Sequence, residues 1–176
     1  MRFLICCALV GGMMAGCKSE HRAPSRAEFA AAGKECIMKS GGRDVLRVMV
    51  PSDAECAARD GALHMKSSSG YVDVWLVQGA KSVEDGAGRV PDQIKSEFKD
   101  FRPTSSSAMT VAGAPAKRIQ GSGVEADDGD PGDADVIVFG VEGRVFVACT
   151  HGENLSAAAR RWLGTVVESA QAPPAR

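Results

Sequence analysis

The chain has 176 residues, 44% apolar and 24% charged, the size and balance of one soluble globular domain with an appendage. That excludes a wholly disordered chain, a fibrous repeat and a polytopic membrane protein. Lys and Arg number 21 against 22 Asp and Glu, so no basic surplus recommends nucleic acid as a partner. Aromatic residues are only 5%, so the core must be built mainly from Val, Ile, Leu, Met and Ala.

The N-terminus reads as an address. Arg2 gives a positive start, Phe3 to Val10 is a short apolar run, and Gly11 to Gly16 continues it in small or apolar residues. This is the n-region, h-region and small-residue cleavage zone of a signal peptide, too short to span a bilayer comfortably. The segment Met14-Ala15-Gly16-Cys17 resembles the lipobox of bacterial lipoproteins, with Met14 at a position usually held by Leu. The resemblance implies cleavage before Cys17 and attachment of diacylglycerol to its thiol. The plainer alternative is an ordinary secretory signal with Cys17 incidental. Two or three acyl chains, at about 0.8 kcal/mol per buried methylene, would hold the protein firmly to a membrane. Lys18 following the cysteine implies, by the same resemblance, the outer membrane of a bacterial cell envelope facing the periplasm. The organisation is then a signal peptide over 1–16, lipidated Cys17 with a polar tether to 25, one α+β domain over 26–172 and a tail over 173–176.

Six cysteines are present. Cys6 and Cys7 leave with the signal, and Cys17 takes the lipid. Cys36, Cys56 and Cys149 remain, enough for one disulfide and one leftover thiol. An oxidising compartment permits the bond, and the three pairings stay open. With no CxxC in the mature chain, zinc-ribbon and thioredoxin readings fail.

Along the body, Ser25-Arg26-Ala27-Glu28 has capping-box spacing and predicts a short helix of about ten residues. Val45 to Val50 is a β-branched strand stopped by Pro51. Pro51 to Gly61 reads as a polar connection with a helical turn around Ala54–Arg59. Ala62–Ser67 and Tyr71–Val77 read as a hairpin, with His64 and Lys66 facing water. Gly79 to Gly88 is loose. Val90, Ile94, Phe98 and Phe101 form one apolar helical stripe with Pro91 in the first turn, a helix ended by Arg102-Pro103. Ala108–Val111 and Ala116–Gln120 are strands around Gly113-Ala114-Pro115. Gly121 and Gly123 mark a bulge or bend. Glu125 to Asp135 is an acidic loop. Asp135–Phe139 is a central strand, apolar on both faces, paired through the Gly140–Gly143 turn with Arg144–Thr150. Leu155, Ala158, Trp162, Val166 and Ala170 lie on one face of a closing helix, with Arg160, Arg161 and Glu168 turned to water. The expected fold is α+β: a mainly antiparallel sheet of about six or seven strands packed by two or three helices.

The run Thr110-Val111-Ala112-Gly113-Ala114-Pro115-Ala116, then a long strand, an acidic loop, Val136–Phe139, Gly143–Val147 and a closing helix, resembles the PsbP-like sandwich. That group includes the photosystem PsbP subunits and Mog-type Ran-binding factors. The resemblance covers about residues 45–170 in element order and implies a non-catalytic binding or assembly module, with no family binding residue matched to a position here.

Asp127, Asp128, Asp130, Asp133 and Asp135 are the candidate metal ligands, since oxygen-rich clusters suit calcium. They lack the EF-hand order, and a solvated turn-rich connection is the plainer account of them. Cys149 and His151 lie two apart on one strand face. A thiol nucleophile there lacks an orienting third group, and Cys149 shares its face with Val145 and Val147, as a buried thiol or a disulfide partner would. Tyr71 and Trp75 share a strand face, an exposed recognition pair if Trp75 is not packed under a helix. Trp162 belongs to the core. No phosphate loop, dinucleotide fingerprint, GxSxG elbow or HExxH motif occurs, and no cofactor is implied. The expected function is that of a lipid-anchored, non-enzymatic envelope module bound to another envelope protein. The alternative is a small-ligand or calcium-binding lipoprotein using the acidic loop 125–135.

Overall fold

A computed structural model describes residues 33–174. Cys17, its flanking signal and tether, and most of the helix expected after Ser25 lie outside the described residues. The described residues form nine strands: β1 (Gly33–Ser40), β2 (Arg43–Pro51), β3 (Glu55–Arg59), β4 (Ala62–Ser67), β5 (Gly70–Leu76), β6 (Phe98–Val111), β7 (Ala114–Glu125), β8 (Pro131–Val141) and β9 (Arg144–Gly152). Three helices accompany them: α1 (Val83–Gly88), α2 (Val90–Gln93) and α3 (Ala157–Glu168). No helix among the described residues is long and apolar enough to cross a membrane.

β3 to β9 form a seven-stranded sheet in the order β3-β4-β5-β9-β8-β7-β6, while β1 and β2 form a separate ribbon. Every strand pair is antiparallel. One face carries Leu63, Met65, Val72, Val74, Ile137, Phe139, Phe146 and Ala148 against the ribbon and the apolar side of α3. The other carries Val136, Val138, Val145, Val147 and Cys149 against Ala87, Val90, Ile94, Phe98 and Phe101. β8 and β9 are therefore covered on both sides, as the unbroken apolar run of β8 predicts. α3 starts at Ser156, whose hydroxyl accepts from the Ala159 N–H at 3.1 Å, and buries Trp162, Leu163, Val166 and Val167.

Several expectations are corrected. The connection before Gly61 is a strand, β3, whose side chains are mostly exposed; as an Ala-rich edge strand it buries no face and leaves no period-2 signal. β1 was likewise unmarked, because only Cys36 and Met38 of its side chains are buried. The helix expected over 90–101 stops at Gln93, and Phe98 opens β6. The stripe itself is buried. Its spacing has another cause: the β6–β7 register shifts between Lys99 and Arg102, where Asp100 takes a left-handed φ of 51°. The extra residue puts Phe98 and Phe101 on one face of a bulged strand at an interval that mimics a helix. Gly121 and Gly123, where a bend was expected, lie directly beneath. A Cβ on Gly121 would meet the Phe101 ring at 2.5 Å, and one on Gly123 the Phe98 ring at 2.6 Å.

Arg160, expected in water, is half-buried. It reaches Asp135 Oδ2 at 3.4 Å, while Arg118 grips the same fully buried carboxylate from β7 with its Nε 2.8 Å from Oδ1. A buried carboxylate needs such partners.

The disulfide joins Cys36 to Cys56, with Cα atoms 6.4 Å apart and a sequence separation of 20. It straps the ribbon to the edge strand of the main sheet. Among the described residues Cys149 is the free thiol. Closing a loop of that length stabilises by about 3 kcal/mol in the chain-entropy model. Cys36→Ser with Cys56→Ser should lose about that much in urea unfolding, and reductant should then have no further effect on the variant.

Candidate functional site

The site starts from one rung of the sheet. His64 pairs with Asp73 across β4 and β5, and Asp73 pairs with Cys149 across β5 and β9. Their side chains share a face with Val147. Asp73 lies between Val72 and Val74 and is 6% exposed. Its Oδ1 is 2.7 Å from His64 Nδ1. His64, expected to face water, is thus half-buried and committed to a carboxylate.

Two residues along β9, His151 occupies the same face. Its ring packs 5.7 Å from that of Phe98. Its Nδ1 is buried with no hydrogen-bond partner, the closest carboxylate being Glu125 Oε2 at 4.0 Å. Glu97 enters from the junction of α2 and β6, and its carbonyl accepts from the Ala126 N–H at 2.9 Å. That bond docks the acidic turn against the junction. The turn holds its own shape through Glu125 N–H to Asp130 O at 2.9 Å and Asp130 N–H to Asp128 Oδ1 at 2.9 Å.

These segments enclose a cleft of about 770 Å³. Its walls carry the carboxylates Glu55, Asp73, Glu97, Glu125, Asp127, Asp128, Asp130 and Glu153, against two imidazoles and Lys66. Lys66 lies over the ring of Tyr71 at 5.4 Å, and Tyr71 is half exposed at the rim. Burial pushes the Asp73 carboxyl above its usual range, with Glu97 adding to the push and His64 and His151 opposing it. Glu125 is also raised, by burial first and then by Asp128, Asp127 and Asp130, against the pull of His151. The cleft is thus short of positive charge, and a cation entering it would relieve this repulsion. Among the described residues two sets of donors each have their atoms within 4.8 Å of one another: Asp73, Glu97 and His151 inside, and Glu125, Asp127 and Asp128 at the mouth.

The five candidate aspartates do not converge. Asp127, Asp128 and Asp130 line the cleft. Asp133 and Asp135 belong to β8; Asp133 borders a shallower groove near Arg102, and Asp135 faces α3 on the opposite side, held by Arg118 and Arg160. Trp75 is half-buried against the α1 side of the core, so it does not join Tyr71 as an exposed pair. Asp73 and Glu97 escaped the sequence reading. A lone carboxylate between two valines is a signal for the first, while Glu97 lies in the stretch read as helix, past Gln93 where the helix ends.

No family model and no curated protein sequence matches this chain. Its structure overlays the solution structure of cyanobacterial PsbP (CyanoP) from Synechocystis sp. PCC 6803 with a TM-score of 0.50 and 12% identity, covering 81% of this chain and 94% of that one. The fold is PsbP-like. A crystal structure from Bacteroides thetaiotaomicron VPI-5482 overlays at TM-score 0.56 and 14% identity, over 81% of this chain and 49% of the other. This chain therefore spans about half that protein's length. LpqN, involved in cell envelope biogenesis of Mycobacterium tuberculosis, matches at TM-score 0.43 and 16% identity over 81% of this chain and 92% of that one, an overlap too loose to build on. Likenesses at these identities concern the fold alone.

Cys149 is fully buried. Burial, then the carboxylates Asp73, Asp135 and Glu97, raise its thiol well above the ordinary range, the reverse of what an activated thiolate needs. The folded value exceeds the unfolded one of about 8.5, so this thiol's contribution to stability is complete below that pH and is lost above it, by up to about 1.4 kcal/mol per pH unit. Cys149→Ala should therefore show a shallower loss of stability between about pH 8.5 and 10. The native Cys149 thiol should resist iodoacetamide until the chain is unfolded.

Proposed function

We propose that this protein is a lipid-anchored component of a bacterial cell envelope, a non-enzymatic binding module whose binding site is the acid-lined cleft. The cleft carries the reading: eight carboxylates on one concave surface, facing one ammonium and two imidazoles. Such a surface recognises positive charge and repels phosphate backbones. Its partner is an envelope protein that presents a basic segment, with Tyr71 at the rim supplying apolar contact. The PsbP-like fold supports a binding or assembly role. The anchor rests on Met14-Ala15-Gly16-Cys17, and Lys18 supports an outer-membrane location facing the periplasm.

The acidic turn supports a second reading, capture of calcium at the mouth by Glu125, Asp127 and Asp128, all oxygen donors of the kind calcium prefers. A calcium-dependent rise in melting temperature that disappears in Asp127→Asn with Asp128→Asn would favour it.

The anchor and the cleft are tested together in native membranes. The intact mass should begin at Cys17 and include the acyl chains, and Cys17→Ser should move the protein to the soluble fraction. A photo-cross-linker at position 71 should capture an envelope protein, and Asp127→Lys with Asp128→Lys should reduce that capture. A mass without lipid, or capture indifferent to the charge reversal, would contradict the proposal.

A further inference from the structure

We infer that the inner end of the cleft is a site for a divalent transition metal such as zinc, held by Asp73, Glu97 and His151 and oriented by His64. The inference deepens the reading of the cleft as the binding site by assigning one ligand class to one group of atoms. One donor atom from each of the three residues lies within 4.8 Å of the others. Tetrahedral zinc with ligands at 2.0–2.1 Å needs them about 3.3 Å apart, a closure that side-chain rotation can supply.

Four observations converge on this site. The donor set, one imidazole nitrogen and two carboxylate oxygens, suits zinc and its neighbours, whereas calcium wants six to eight oxygens. Three protein ligands leave a fourth position for water or for a group on a partner. His151 Nδ1 is a buried polar atom with no hydrogen-bond partner, a costly arrangement in a folded protein unless the ring has further work. His64 fixes Asp73 through one carboxylate oxygen at 2.7 Å, leaving the other free to coordinate; such outer partners commonly tune metal ligands. The residues come from β5, the α2–β6 junction and β9, so the metal would also pin the junction against the sheet.

Zinc titration calorimetry on the chelator-stripped, detergent-solubilised full chain tests this. A single zinc ion should bind, and a calcium titration should leave that site open to zinc. Glu97→Gln and His151→Gln should each weaken zinc by about 100-fold or more, and His64→Gln by roughly tenfold. Asp127→Asn with Asp128→Asn, at the exposed mouth, should change it by no more than about threefold, a screened surface effect. Glu97 is only half-buried and lies between elements, so its variant guards against misfolding of the His151 variant. Three results would overturn the inference: no zinc binding by the wild type, binding indifferent to Glu97→Gln, or binding lost with the mouth aspartates. None of them touches the mass or cross-linking result at the membrane, so failure here and failure of the anchored-module reading remain distinguishable.

Discussion

The architecture depends on the pairing of β5 with β9, from Asp73 opposite Cys149 to Leu76 opposite Phe146. On one side of that seam the chain runs as the meander β3-β4-β5, and on the other as the meander β6-β7-β8-β9. Each meander is made of local hairpins. Within the seven-stranded sheet only the seam closes a long loop, some seventy residues, so its entropy cost is offset by what it brings together: the two central strands buried on both faces, and the shelf on which α1 and α2 pack. The ribbon of β1 and β2 is then secured from outside, by the Cys36–Cys56 bond and by the mutual backbone bonds of Arg47 and Gln171 at 2.9 Å.

The seam also concentrates charge. On one face Asp135 is buried beneath α3 and matched by two guanidinium groups. On the other, Asp73 is buried at the seam with one imidazole bonded to it and a second nearby, while Glu97 and the acidic turn close in from a different part of the chain. The contrast separates two uses of a buried carboxylate. The first is neutralised within the protein and serves packing. The second is left short of positive charge in a cleft open to solvent, as expected of a surface that acquires its counter-charge from a ligand.

Much of the fold was legible because local rules and tertiary packing agree. β8, β9 and α3 were marked by an unbroken apolar run, a Glu-Gly turn and a 3.6-residue stripe. Where they disagree, the sequence misleads. β3 is an exposed edge strand with the composition of a helix, and the Asp100 bulge gives Phe98 and Phe101 helical spacing within a strand. The cleft was less legible still. The acidic turn announced itself, but Glu97 and His151 are distant in sequence from the His64–Asp73 hairpin and meet it only through the β5–β9 pairing and the corrected start of β6. His151 was visible as a neighbour of Cys149, yet its partners are carboxylates from other segments, and Cys149 is sealed in the core beneath it.

The central claim is that this rung buries a carboxylate among two histidines at the base of a cation-seeking cleft. The most direct measurement is a pH titration of the Asp73 carboxyl carbon by NMR in metal-free protein, repeated in His64→Gln and His151→Gln. Both histidines hold the carboxyl down against burial. The account therefore predicts a midpoint above the ordinary aspartate value of about 3.9, rising further in each variant. An ordinary midpoint, indifferent to both substitutions, would contradict it.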